Sequence, residues 1–149
     1  MVARDLRNHA FGLAAAVLAS LWIFSTGTGS NRPAGFPPIQ VKEVASADAK
    51  ALIDAGALVV DVRSAEAFAA HHVAGAIHIP LDEMHAAVAA NKVTAARDKP
   101  IVVYCGDGAR SGPEGTAILN AAGFVNAVNL KGGLEGWQKA GMPTEAEVR

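Results

Sequence analysis

The stretch Ile101-Val102-Val103-Tyr104-Cys105-Gly106-Asp107-Gly108-Ala109-Arg110-Ser111 decides how the rest of the chain is read. Its first four residues, IVVY, form a short apolar run of the kind that makes a buried strand. Cys105 stands where that run stops. Two glycines follow within three residues and allow a tight turn, with positive φ where needed. A helix is expected from about Ser111, because Gly112, Pro113 and Glu114 suit a first turn, in which proline lacks only an N–H that would be unpaired anyway. A compact loop between strand and helix can aim several amide N–H groups at one point and so cradle an anion, and the helix dipole adds to it. A sulfur anion in that field is stabilised by the N–H groups and by Arg110, which favours the nucleophilic thiolate. A lone cysteine at a strand end is otherwise read as a buried, inert side chain. The glycine loop and the helix start reverse that reading, and they place the thiol at the mouth of the cup.

Outward from this point, short apolar runs alternate with helical patterns. Residues 39–44 are expected as a first strand or edge, with Ser46 capping a helix that carries Ala49, Leu52 and Ile53 on one face and ends at Gly56. Residues 58–62, LVVDV, read as a buried strand, and Ser64 caps a second helix through Phe68. Residues 76–79 make a short strand stopped by Pro80. Residues 81–96 follow as a helix with Met84, Val88 and Val93 inward. After the 111–122 helix come a last strand at 127–130 and a last helix at 134–140, ended by Gly141 and Pro143. Runs apolar on both faces alternating with helices give a parallel sheet covered by helices on each side, and in such sheets function sits at the carboxyl ends of the strands.

Composition narrows the function classes. The chain has 149 residues, 51% hydrophobic and 18% charged, and its 13 basic and 14 acidic residues leave a net charge of −1. That balance lacks the basic excess of a nucleic-acid binder, and the apolar fraction excludes a charged disordered chain. The single cysteine excludes an intramolecular disulfide framework and a zinc site of several thiolates. His78 and His85 have no partners at metal-ligand spacing, so no metal and no cofactor are expected. At the N-terminus, Arg4 and Arg7 precede the uncharged run 10–24. As a helix that run would span ~22 Å against a hydrocarbon core of ~30 Å, short for a membrane span and suited to a signal-peptide core. Residues 1–24 are therefore expected to be a signal peptide, the favoured reading, or an uncleaved membrane anchor with Trp22 and Phe24 at the interface. Residues 25–38 are a Gly/Ser/Pro-rich linker, and 39–149 are the domain. The basic flank places the domain in the periplasm or another exported location, released or tethered to the inner membrane facing outward.

Four segments, DVRSAEAF (61–68), HVAGAIHIPLDEM (72–84), VVYCGDGARS (102–111) and AAGFVNAVNLKGGLEGWQKAGMP (121–143), together resemble a single rhodanese domain in family order. The export segment and the form YCxxGxxSG are similar to small periplasmic phage-shock-type rhodaneses. The resemblance implies a three-layer α/β domain with a central, mostly parallel five-stranded sheet and helices on both faces. It implies a sulfurtransferase in which Cys105 takes sulfane sulfur from thiosulfate or a persulfide donor and passes it to a thiol or cyanide acceptor, in two displacements. The loop Gly106, Asp107, Gly108, Ala109, Arg110 and Ser111 would bind the substrate or persulfide. The family's sulfur-binding loop has six residues, here Cys105 to Arg110, whereas related phosphatases have seven. A persulfide carrier or sulfur-sensing module with little turnover alone, and a phosphatase, are the rival functions.

Several residues stay open between two roles. Arg110 binds the sulfur site or pairs with Asp107 or Glu114, and Ser111 hydrogen-bonds the sulfur site or caps its helix. Asp107 stands where several thiosulfate users carry a basic residue, and a solvated carboxylate there would repel a dianion by up to ~1 kcal/mol. Asp61 and Arg63 match the family's Asp-Val-Arg and are expected to brace the loop's surroundings. His71 and His72 are read as surface or capping residues, and Trp137 as core. The partners are a small sulfur-donor anion or protein persulfide and a thiol acceptor, with no nucleic acid and a possible membrane tether through residues 10–24.

Overall fold

The computed structural model describes residues 39–147, so the expected leader, anchor and linker of residues 1–38 lie outside the described residues. Among the described residues, no helix is long and apolar enough to cross a membrane. The chain alternates strand and helix. β1 (Glu43–Val44) leads to α1 (Ser46–Asp54), β2 (Leu58–Asp61) and α2 (Ala65–Ala70). β3 (His72–Val73) and β4 (Ile77–His78) precede a 3-10 turn (Leu81–Glu83) that runs into α3 (Met84–Ala89). Then come β5 (Ile101–Tyr104), α4 (Ser111–Ala121), β6 (Ala127–Leu130), α5 (Gly133–Lys139) and β7 (Thr144–Glu145).

Five strands form one sheet in the order β1-β6-β5-β2-β4, every neighbouring pair parallel. β3 and β7 pair antiparallel as a separate ribbon, which periodicity did not indicate because two-residue strands are too short to show any. The central strand β5 pairs residue for residue with β2, Leu58 opposite Ile101 through Asp61 opposite Tyr104.

The pleat sorts the core into two layers. On one face Val60, Ile101, Val103 and Cys105 join Met84, Ala87, Leu119 and Phe124, so α3 and α4 cover it. On the other, Val59, Val102, Tyr104, Val128 and Leu130 join Ala49, Leu134 and Trp137 from α1 and α5. This is the expected three-layer α/β arrangement. Trp137 lies in the core, its indole N–H donating to the Pro143 carbonyl at 2.9 Å.

Three local expectations are corrected. The first strand is only Glu43–Val44, because pairing with β6 begins there. Ser46 is the first residue of α1 rather than its cap, Ala45 holding that place without a side-chain bond. The expected helix over 81–96 stops at Ala89. Asn91 adopts φ 53°, and the Asn91 and Lys92 N–H groups bond back to the Val88 and Ala87 carbonyls, a left-handed helix stop that asparagine tolerates. Val93 still reaches the core from the turn beyond.

Candidate active site

Cys105 follows β5 directly, at the carboxyl end of the central strand. Its position is deeper than expected. The residue is only 5% exposed, because it continues the inward side of the pleat after Ile101 and Val103. The thiol therefore lies on the floor of the loop, not at its mouth. Asp107, Ala109 and Arg110 are exposed above it and Gly108 is buried.

The loop's carbonyls are tied down from outside. The Leu134 N–H donates to the Cys105 carbonyl at 2.9 Å, and the Glu135 N–H to the Gly106 carbonyl at 3.0 Å. These are first-turn N–H groups of α5, which have no partner within their own helix. The Gly108 carbonyl accepts from Asn129 Nδ2 at 3.0 Å, and the Arg110 carbonyl from the Glu114 N–H at 3.0 Å. In contrast, the N–H groups of Gly106, Asp107, Gly108 and Arg110 donate to no backbone carbonyl among the described residues. Carbonyls bonded to groups outside the loop, with amides that have no backbone acceptor, are what an anion-cradling loop requires.

Glycine is required at two of these positions. Gly108 has φ +75°, and a Cβ there would stand 2.7 Å from the Leu130 carbonyl oxygen and from the Gly132 nitrogen. A Cβ on Gly133, at φ +54°, would collide with the Cys105 and Gly106 carbonyl oxygens in the same way. The close backbone approach lets α5 reach the loop.

Asp107 enters the site itself. Its Oδ1 accepts from the Ala109 N–H at 3.0 Å and lies 3.6 Å from Cys105 Sγ, which donates to it. The Ala109 N–H first, then the Cys105 thiol and the Arg110 charge, hold the Asp107 carboxyl below its ordinary value despite partial desolvation. Arg110 forms no ion pair within 4.0 Å of Asp107 or Glu114, so of its two expected roles the pairing is not made. Arg110 is the residue preceding α4, and Ser111 is the helix's first residue without a side-chain cap bond.

Asp61 and Arg63 form a buried brace beside the loop. Asp61 is fully buried, and Arg63 Nη2 reaches its Oδ2 at 2.6 Å while also donating to the His71 carbonyl. The guanidinium lies 5.8 Å from the centre of the Tyr104 ring. The Tyr104 hydroxyl accepts from the Val73 N–H at 3.0 Å. Burial, and then the adjacent Asp61 carboxylate, push the Tyr104 pKa well above its ordinary value. The network joins the ends of β2 and β5 to β3 immediately before Cys105. His71 ends α2 at the surface as expected, but His72 is buried. It stacks on Phe68 with ring centres 4.0 Å apart and donates through Nδ1 to the Phe68 carbonyl, which removes the surface role.

The fold and this loop define a class, and comparison with known proteins agrees. The chain belongs to the rhodanese-like domain family, whose model matches residues 45–140. It is 35% identical over 99 residues to the thiosulfate sulfurtransferase GlpE of Pseudomonas fluorescens (strain Pf0-1), covering 66% of this chain and 86% of that protein. It superposes on the crystal structure of the Alr3790 protein from Anabaena sp. with TM-score 0.62 and 26% identity, over 71% of this chain and 94% of the other. The human single-domain sulfurtransferase TSTD1 matches with TM-score 0.60 and 26% identity, over 67% and 97% of the two chains.

Proposed function

We propose that Cys105 is the sulfur-carrying nucleophile of this rhodanese-type sulfurtransferase. The observation that carries the reading is the loop around it, with carbonyls tied outward and four N–H groups free of backbone partners, built on the one cysteine of the chain. In the first step the Cys105 thiolate attacks the outer sulfur of the donor. With thiosulfate, an S–S bond forms at Sγ, the bond to the sulfonate sulfur breaks, and sulfite leaves with the electron pair. In the second step the acceptor attacks the outer sulfur of the persulfide. Cyanide leaves as thiocyanate, or a thiolate leaves as its own persulfide, and the Cys105 thiolate returns. Loop amides donating to that sulfur would stabilise its negative charge in both steps without rearranging.

The donor is thiosulfate or a persulfide. Similarity to proteins named as thiosulfate sulfurtransferases supports the former. Asp107 supports a less charged persulfide, since its carboxylate lies against the nucleophile and already uses the Ala109 N–H. Purified protein given thiosulfate and cyanide tests the reading. Turnover that disappears in Cys105→Ser is expected. Stoichiometric sulfur loading of Cys105 without turnover would make the domain a persulfide carrier, and turnover retained in Cys105→Ser would overturn the site. Residues 1–24 are proposed to export or anchor the domain, and the intact mass of the protein recovered from cells distinguishes a removed leader from a retained one.

A further inference from the structure

The loop is also connected to the far edge of the sheet through side chains that the transfer chemistry leaves unused. Asn129 lies in β6 with no exposed surface, in an otherwise apolar strand of four. Its Nδ2 donates to Glu43 Oε1 at 2.9 Å and to the Gly108 carbonyl at 3.0 Å. Both amide hydrogens are thereby used, and the two acceptors determine which way the amide faces. Its Oδ1 is buried without a hydrogen-bond partner and abuts Gly112, where any Cβ would collide with it. A buried amide with an unpaired oxygen is a costly choice for a strand core, so filling space does not account for it.

The peptide plane explains what the amide does. Gly108 C=O and Ala109 N–H belong to one planar trans peptide and point in opposite directions. Holding the carbonyl on Asn129 therefore aims the Ala109 N–H at Asp107 Oδ1, the atom to which Cys105 Sγ donates. The path runs Glu43, Asn129, the Gly108–Ala109 peptide, Asp107, Cys105. We infer that Asn129, oriented by Glu43, is a positioning residue that keeps the Gly108–Ala109 peptide from turning over and so keeps the Ala109 N–H on the Asp107 carboxylate that touches the reactive sulfur. The inference rests on the reading of Cys105 as the sulfur carrier. Without the clamp, the peptide can rotate, withdraw that N–H and turn the Gly108 carbonyl oxygen toward the Asp107 carboxylate. That would leave the carboxylate's charge uncompensated beside the Cys105 anion and destabilise it both as attacking group and as leaving group.

The test compares Glu43→Ala, Glu43→Gln, Asn129→Ser and Asn129→Leu with the wild-type chain, using thiosulfate and cyanide. In a two-step transfer, kcat/KM for each substrate reports its own half-reaction. The Asn129 variants should lose about 10-fold to 100-fold in both values. Glu43→Ala, at an exposed residue outside the loop, should lose a smaller factor in both. Glu43→Gln, which still offers an oxygen to Asn129, should restore most of that loss. The Ala109 amide resonance should shift in Glu43→Ala and return in Glu43→Gln, a response that a packing defect would not produce. Near wild-type values in both half-reactions for Glu43→Ala, with an unmoved Ala109 resonance, would overturn the inference. So would a loss confined to the thiosulfate half-reaction. If an Asn129 variant fails to fold, the Glu43 pair decides the matter alone. Cys105→Ser separates the two readings: activity surviving there refutes the sulfur carrier, whereas a dead Cys105→Ser beside a wild-type-like Glu43→Ala refutes only the clamp.

Discussion

Gly108→Ala should damage this protein far more than Gly106→Ala, although the two glycines stand two residues apart in one loop. At Gly108 the backbone has φ +75°, a conformation that costs a residue with a Cβ roughly 1–2 kcal/mol. The methyl group would also stand 2.7 Å from the Gly132 nitrogen and the Leu130 carbonyl oxygen, and 2.8 Å from the Gly133 nitrogen. These are backbone atoms of β6 and of the entry to α5, so no side chain can swing aside. Overpacking of that kind costs about 1–3 kcal/mol. The sum, about 2–5 kcal/mol, corresponds to a fall in urea midpoint of ~1–3 M for a small domain. At Gly106 a Cβ meets nothing within 4 Å and φ is not positive, so Gly106→Ala should keep the unfolding free energy within about 0.5 kcal/mol of wild type. Equilibrium urea unfolding of the three proteins, followed by circular dichroism, provides the comparison, with thiosulfate:cyanide turnover measured in parallel. Should the loop yield locally, Gly108→Ala will keep more of its stability and lose sulfur transfer instead. A Gly108→Ala protein with both wild-type midpoint and wild-type turnover would refute the close-approach reasoning.

Asp107→Lys should raise kcat/KM for thiosulfate by about 2-fold to 5-fold, since it removes a charge beside the nucleophile and releases the Ala109 N–H; an unchanged or lower value would show that the carboxylate does not select the donor. Because the Asp107 pKa is lowered, its charge is in place throughout the neutral range, so steady-state assays from pH 6 to pH 8 should find the thiosulfate advantage of the lysine variant constant. Asp61→Ala should cost about 3 kcal/mol in urea unfolding, because it strips a largely buried guanidinium of its counter-charge; a loss below 1 kcal/mol would mean Arg63 turns freely to water. Tyr104 has a raised folded-state pKa, so its contribution is complete below the unfolded value of about 10 and is lost as pH rises beyond it. Urea midpoints should therefore fall above pH 10 in the wild-type protein and fall less steeply in Tyr104→Phe, and parallel pH curves would contradict this.

The elements legible in the sequence are those with long enough runs or explicit stops. IVVY and LVVDV gave up their strand identity because both faces are buried, and Gly56, Gly123 and Gly141 each end a helix with positive φ. The loop after β5 was legible from Cys105 and its glycines, of which Gly108 carries a backbone geometry that few other residues allow. The helix after Met84 was overextended because Asn91 acts as its stop, and asparagine announces a left-handed turn less plainly than glycine does. The depth of Cys105 was hidden because alternation beyond the last paired residue depends on whether the strand twists away. Asn129 and Glu43 were missed for a different reason, as their partners lie 21 and 86 residues away from Asn129. A trace was present all the same: an asparagine inside an apolar strand must find partners if it is buried.

The division of labour inside the loop has an evolutionary consequence. The groups that hold its shape are main-chain atoms of Cys105, Gly106, Gly108, Leu134 and Glu135, with the Asn129 amide, while Ala109 and Arg110 are exposed and Asp107 is exposed too, its carboxylate touching Cys105 from the solvent side. Mutation at those three exposed places can therefore change which molecule docks without dismantling the machinery below. A scaffold arranged this way can acquire new clients by small steps, each intermediate remaining competent to move sulfur.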